Sequence, residues 1–156
     1  MADYLLPEIL QFCETNTGYE FFLVGTVATD LAFTHEGNSI VVLSKLNFDD
    51  YQDLVMSSEV ALSMIYSAHP GVVAYQTALS GIPTITNIFD NRSADDVRRL
   101  SPNLIPLDLA RDSFVEVFER ALAHSSVAQE SFVFGVDGEL SSVDFMRRIG
   151  RAVASD

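Results

Sequence analysis

Five short apolar runs, separated by stretches with turn or helix character, constrain this chain more than any other feature of its sequence. They are Phe21–Val24, Ile40–Leu43, Val60–Tyr66, Thr84–Asn87 and Asn103–Leu107. Short apolar runs bounded by turn residues suit strands buried on both faces, as in a parallel sheet. Leu5–Thr15 carries Leu6, Ile9, Leu10 and Cys13 on one helical face and tolerates Pro7 in its first turn. Asn47 caps a helix with Asp50 at its third position and a stripe of Phe48, Tyr51, Leu54 and Val55. Gly71–Leu79 reads as a helix that Gly81 ends in a left-handed conformation, with Pro83 preventing continuation. Ser113 and Glu116 form a capping box for a helix bearing Phe114, Val117, Phe118, Ala121 and Leu122. A last helix spans Ser141–Ala154. Thr26–Ser39 reads as a polar connection with His35, Gly37 and Asn38 as turn residues, and Asp90–Arg99 as a loop or short helix.

This alternation indicates an α/β fold, a doubly wound, Rossmann-like parallel sheet with helices on both faces. At 156 residues the chain fits one domain, residues 1–156. Its pattern opens with a helix, whereas a Rossmann-type unit opens with the strand that carries its phosphate loop. The expectation is therefore a unit lacking its first strand.

Composition narrows the function classes. Apolar residues make up 48% of the chain, a globular rather than a disordered content. No apolar stretch is long enough to cross a bilayer, and no signal-peptide pattern opens the chain. Cys13 stands alone, so no internal disulfide is possible, and these features together point to the cytoplasm. The net charge of −13 disfavours nucleic-acid backbones and anionic membranes. From Met1 to Asn91 the only lysine or arginine is Lys45. A phosphate site in that half has to rely on backbone N–H groups or on a cation from elsewhere.

Ligands of open α/β sheets bind beyond the carboxyl ends of strands, at helix N-termini. Ser67-Ala68-His69-Pro70-Gly71 follows the third apolar run and opens the next helix. Pro70 suits a first helical position, and Gly71 allows a ligand close to the backbone. His69 and Ser67 offer side-chain hydrogen bonds, so a diphosphate can rest there without lysine. The same residues also fit an ordinary strand-to-helix turn in which His69 caps or packs. Asp49, Asp50 and Asp53 read as a solvated helix face, and Arg147, Arg148 and Arg151 as an exposed one. His35, His69 and His124 fall on different elements without metal-ligand spacing. There is no Walker loop, no G-x-G-x-x-G and no nucleophile elbow.

From this loop outward the chain resembles a known family. Leu46-Asn47-Phe48-Asp49-Asp50-Tyr51, Leu62-Ser63-Met64, Ser67-Ala68-His69-Pro70, Ala78-Leu79-Ser80-Gly81-Ile82-Pro83, Thr86-Asn87 and Ser101-Pro102-Asn103 resemble the C-terminal domain of GT-B glycosyltransferases. The likeness is greatest to the retaining family 4-like branch with bacterial rhamnosyltransferases of surface-glycan assembly, and it covers roughly residues 20 to 123. It implies half of a GT-B fold that binds a nucleotide diphosphate sugar for transfer to an acceptor glycan. Ser67, His69, Pro70, Gly71 and Val72 would face the donor diphosphate and sugar, and Gln76 would lie at the ribose. The family carries glutamate at that position, and its upstream glutamate falls at Ala68 here. Glutamine keeps hydrogen-bonding capacity and loses the charge-assisted contact.

The resemblance implies polysaccharide biosynthesis and calls for no metal and no cofactor. The acceptor would be held by an absent N-terminal domain, which leaves the chain inactive alone. Self-association is a further expectation, since a unit without its first strand uncovers backbone and apolar side chains. The alternative is a non-catalytic interaction module derived from a glycosyltransferase, which Gln76, Ala68 and the scarcity of cations favour. A flavodoxin-like phosphoacceptor domain fits less well, because Lys45 lies too early for its late-strand lysine.

Overall fold

The computed structural model describes residues 2–25, 29–65, 72–89 and 92–125. The helix expected over Ser141–Ala154 lies outside them. The chain divides into two compact units, Met1–Asp53 and Leu54–Asp156.

In the first unit α1 (Ala2–Cys13) is followed by β1 (Glu20–Val24), β2 (Leu31–His35) and β3 (Asn38–Leu43). The strand order is β1-β3-β2. β1 runs parallel to β3 with Phe21 opposite Ile40, and β2 runs antiparallel with Phe33 opposite the same residue. The core forms where α1 lays Ile9, Phe12 and Cys13 against Phe21 and Ile40, all of them buried. Phe12 meets Tyr19 edge-on at 5.2 Å and Phe21 at 6.0 Å, the edge-to-face arrangement that aromatic quadrupoles favour. Burial pushes the Cys13 thiol pKa up, as for a small core residue.

β2 corrects the expectation of a polar connection over Thr26–Ser39. Leu31, Ala32 and Thr34 are all exposed, which leaves no alternation to mark the strand, but its turn carries a hairpin signature. Glu36 and Gly37 have φ of 46° and 76°, the two positive values that a type I′ turn requires. Asn38 holds the turn from inside. Its amide group donates to the carbonyls of Asn16, His35 and Glu36, and its oxygen accepts from the Tyr19 N–H at 2.9 Å.

α2 (Phe48–Ser57) begins as the sequence suggests: Asn47 accepts from the Asp50 N–H at 2.9 Å. The second unit continues with β4 (Ala61–Ser63), α3 (Val72–Leu79), β5 (Thr84–Asn87), α4 (Ala94–Leu100), β6 (Leu104–Leu107) and α5 (Phe114–Leu122). Its sheet has the order β4-β5-β6 and is parallel throughout. All four residues of β5 and of β6 are buried. α3 and α4 share a cluster of Ala74, Ala78, Val97 and Leu104, with Tyr75 and Leu100 packed on it. α5 buries Phe114, Val117, Phe118 and Ala121 and packs on β5 and β6. A parallel sheet flanked by helices in βα alternation is the Rossmann-like α/β arrangement.

The five expected runs are all strands, but they lie in two three-stranded sheets rather than one. Gly81 takes φ +87° at the end of α3 as its position requires, and Ile82 N–H returns to the Thr77 carbonyl. Ser113 caps α5 through the Glu116 N–H. The full reciprocal box forms elsewhere, between Ser93 and Asp96, and so makes a helix of the stretch left open as loop or helix. The Ser93 hydroxyl, and then its N–H, hold the Asp96 carboxyl below the usual aspartate value. A lowered folded pKa adds stability that is present above the unfolded pKa and lost as pH falls through the folded one. Amides in the first turn of α4 are therefore expected to lose hydrogen-exchange protection below about pH 4. Asp96→Asn should remove that pH dependence, and protection that stays flat into acid would contradict it.

Candidate functional site

Ser67, His69, Pro70 and Gly71 lie outside the described residues. Their flanks are defined, and hidden polar side chains fix them. Asn87, the last residue of β5, is fully buried. Its side-chain oxygen accepts from the Ile65 N–H at 2.8 Å, and its amide donates to the Ile65 carbonyl at 2.9 Å. One side chain thus takes the place of a strand partner just beyond β4. This is also why β4 ends at Ser63, short of the expected Tyr66: regular pairing with β5 stops and the asparagine takes over.

On the far side of the loop α3 presents Val72 and Val73 to solvent, at 51% and 41% exposure. The N–H groups of a first helical turn have no intrahelical acceptor and favour an anion. Gln76 is half-buried on the same helix, and its carbonyl receives the Ser80 hydroxyl at 2.9 Å. The helix is fixed from below. Thr77 and Thr84 share a buried hydrogen bond of 2.8 Å, and Asn103 donates to the Ala78 carbonyl at 2.9 Å.

Arg92 belongs to this carboxyl edge and was not singled out as a ligand in the sequence. It lies between β5 and α4, near enough for its charge to act on the Tyr75 phenol of α3. Burial raises the Tyr75 phenol, while the charge and hydrogen bond of Arg92 pull against that rise. The legible signal was position: Arg92 is the first arginine in the chain and follows the carboxyl end of a strand. After β6, Asp108 is internally satisfied by the Ala110 N–H at 3.0 Å and faces Arg111 at 3.7 Å. Among the described residues no three His, Cys, Asp or Glu side chains gather to hold a metal ion, and no helix is long and apolar enough to cross a membrane.

The second unit, with β4, β5 and β6 parallel and α3 following β4, is a Rossmann-like α/β unit. Residues 4–119 match the family described as WsaF, C-terminal domain, and the chain belongs to that family. It is thereby a glycosyltransferase-associated domain. No curated protein matches the chain.

Proposed function

We propose that this chain is the donor-binding domain of a retaining, family 4-like glycosyltransferase of GT-B type, acting in the cytoplasm in polysaccharide biosynthesis. Residues 1–156 act together to bind a nucleotide diphosphate sugar, with a hexosyl or rhamnosyl group as cargo. The acceptor glycan is held by a further domain. The observation that carries this reading is the family match over residues that include the loop between β4 and α3. Ser67, His69, Pro70, Gly71 and Val72 meet the diphosphate and sugar, and free N–H groups at the start of α3 balance charge on the leaving diphosphate. Gln76 lies four residues beyond Val72, about 6 Å along the helix at roughly 1.5 Å per residue. A ligand seated on the helix N-terminus can therefore reach it with its ribose.

The test is titration of isotope-labelled chain with UDP, GDP and dTDP. Amides of Gly71 and Gln76 should shift together, with affinity near the millimolar range, about −4 kcal/mol. His69→Ala should weaken the response. Gln76→Ala should reduce discrimination between nucleoside diphosphate and plain pyrophosphate. Amides unmoved at saturating nucleotide would rule the reading out.

One observation favours the second reading, a non-catalytic interaction module. Phe22 and Val24 alternate onto one face of β1 and stay exposed, at 40% and 39%, and Leu31 is exposed on β2. Light scattering should then report self-association. A monomer at all concentrations would speak against this surface as a contact between copies.

A further inference from the structure

β1 has one paired edge and one open edge. The Ser39 N–H donates to the Tyr19 carbonyl and the Gly25 N–H to the Leu43 carbonyl, which marks both ends of its parallel ladder with β3. Alternate residues of such a ladder bond to the partner strand, so Phe21 and Leu23 serve β3. The N–H and C=O groups of Glu20, Phe22 and Val24 point to the other edge, where no strand pairs among the described residues. Their side chains are exposed as well. Natural sheets blunt such an edge with lysine, proline, a bulge or an inward charge. Phe21-Phe22-Leu23-Val24 carries no charge and no proline, and its register with β3 is unbroken.

Charge decides what can occupy this edge. A second copy laid antiparallel, with Phe22 opposite its own counterpart, sets Glu20 of each copy beside Val24 of the other. Every facing pair can then exchange both N–H···O bonds, and the central pair is aromatic. The Glu20 carboxylates fall at opposite ends of the pairing, about 14 Å apart at roughly 3.4 Å per residue. That exceeds the ~8 Å screening length of physiological salt. The other edge of the sheet fails the same test. β2 paired with itself about Phe33 sets Asp30 opposite Glu36, and like charges directly opposite are destabilising. Pairing about a two-fold axis closes on itself, so it ends at a dimer.

We propose that the chain forms a two-fold dimer through β1, whose open edge pairs antiparallel with β1 of a second copy so that their sheets become continuous. The inference rests on the reading of Phe22 and Val24 as a contact between copies, and it names the backbone groups that make the contact. Phe22→Lys puts a charge on the edge and against its own counterpart. Ala32→Lys puts the same charge on the same face, since Ala32 and Phe22 both lie opposite Val41, but on β2. The two variants therefore separate pairing along the edge from packing of one face on another.

The experiment is sedimentation equilibrium of the full chain and its variants in about 150 mM salt, with thermal melting to confirm that each is folded. The parent should be a concentration-dependent dimer. Phe22→Lys should weaken dimerisation by about 10-fold or more, and Ala32→Lys should leave it within about twofold. Air oxidation then reads the register. Phe22→Cys, with Cα atoms about 5.5 Å apart across the pairing, should form an intermolecular disulfide, whereas Glu20→Cys, at about 14 Å, should not. Cys13 is fully buried, so the parent should give none. A parent that is monomeric at all concentrations overturns the proposal and the contact surface together. Dimers lost equally in Phe22→Lys and Ala32→Lys are held face to face, which overturns edge pairing and leaves the contact surface standing. A Phe22→Cys chain that does not cross-link, or a Glu20→Cys chain that cross-links as readily, also overturns the pairing. Should Phe22→Lys fail to fold, the two cysteine variants decide alone.

Discussion

Replacing Asn87 with alanine is expected to destabilise the chain by about 2–4 kcal/mol and to weaken nucleotide binding with it. The residue is fully buried, and it answers both the N–H and the carbonyl of Ile65. Alanine leaves those two backbone groups without their partner, and an unsatisfied buried group costs more than the net value of the bond it loses. Ile65 is only half-buried, so water can recover part of the loss, which sets the upper end of the range. The functional consequence follows from position, since Ile65 is the last described residue before the loop that holds Ser67, His69 and Gly71. Asn87→Asp separates the two roles of the amide. At neutral pH the carboxylate still accepts from the Ile65 N–H but faces the carbonyl with a second negative oxygen. Protonated, it can donate as the amide does. Its pKa should therefore be raised, and its stabilising contribution should be present at low pH and lost as pH rises through that value. Chemical denaturation of the parent and both variants at two pH values is the check. An Asn87→Asp chain that loses stability on acidification relative to the parent would refute the clamp.

The fold was legible where one signal decided an element. Asn47, Gly81 and Ser113 sit where capping chemistry puts them, and β6 is the uninterrupted apolar run that a fully buried parallel strand demands, whereas β5 buries Thr84, Thr86 and Asn87 around Ile85. β2 was not legible because Leu31, Ala32 and Thr34 are exposed, which leaves no clean alternation; only the Glu36-Gly37 turn gave it away. The split into two sheets was not legible either, because strand pairing is a long-range choice that apolar runs do not encode. Of the candidate site, Val72 and Gln76 fall on a helix as expected, while Ser67 to Gly71 lie outside the described residues. The clamp of Asn87 could not be read from spacing, because it depends on which atoms meet across 22 residues.

Phe12→Ala is the substitution expected to cost most, about 3–5 kcal/mol, the usual range for removing a buried phenylalanine. Phe12 is fully buried at the centre of the first unit, in edge contact with both Tyr19 and Phe21. Ile9, Cys13 and Ile40 are buried in the same unit and complete a small core. A unit of this size, Met1–Asp53, has stability of only about 3–8 kcal/mol at the typical 0.05–0.15 kcal/mol per residue. Loss of Phe12 therefore removes most of what holds α1 on its sheet. Hydrogen exchange should report loss of protection in Phe21–Val24 and Ile40–Leu43, with Ile85 and Ile105 of the second unit still protected. Phe12→Leu, which fills most of the volume, should cost far less and keep the first sheet folded. If protection instead falls uniformly from β1 to β6, the two units unfold as one cooperative body. In that case the loss at Phe12 would be shared across the whole chain.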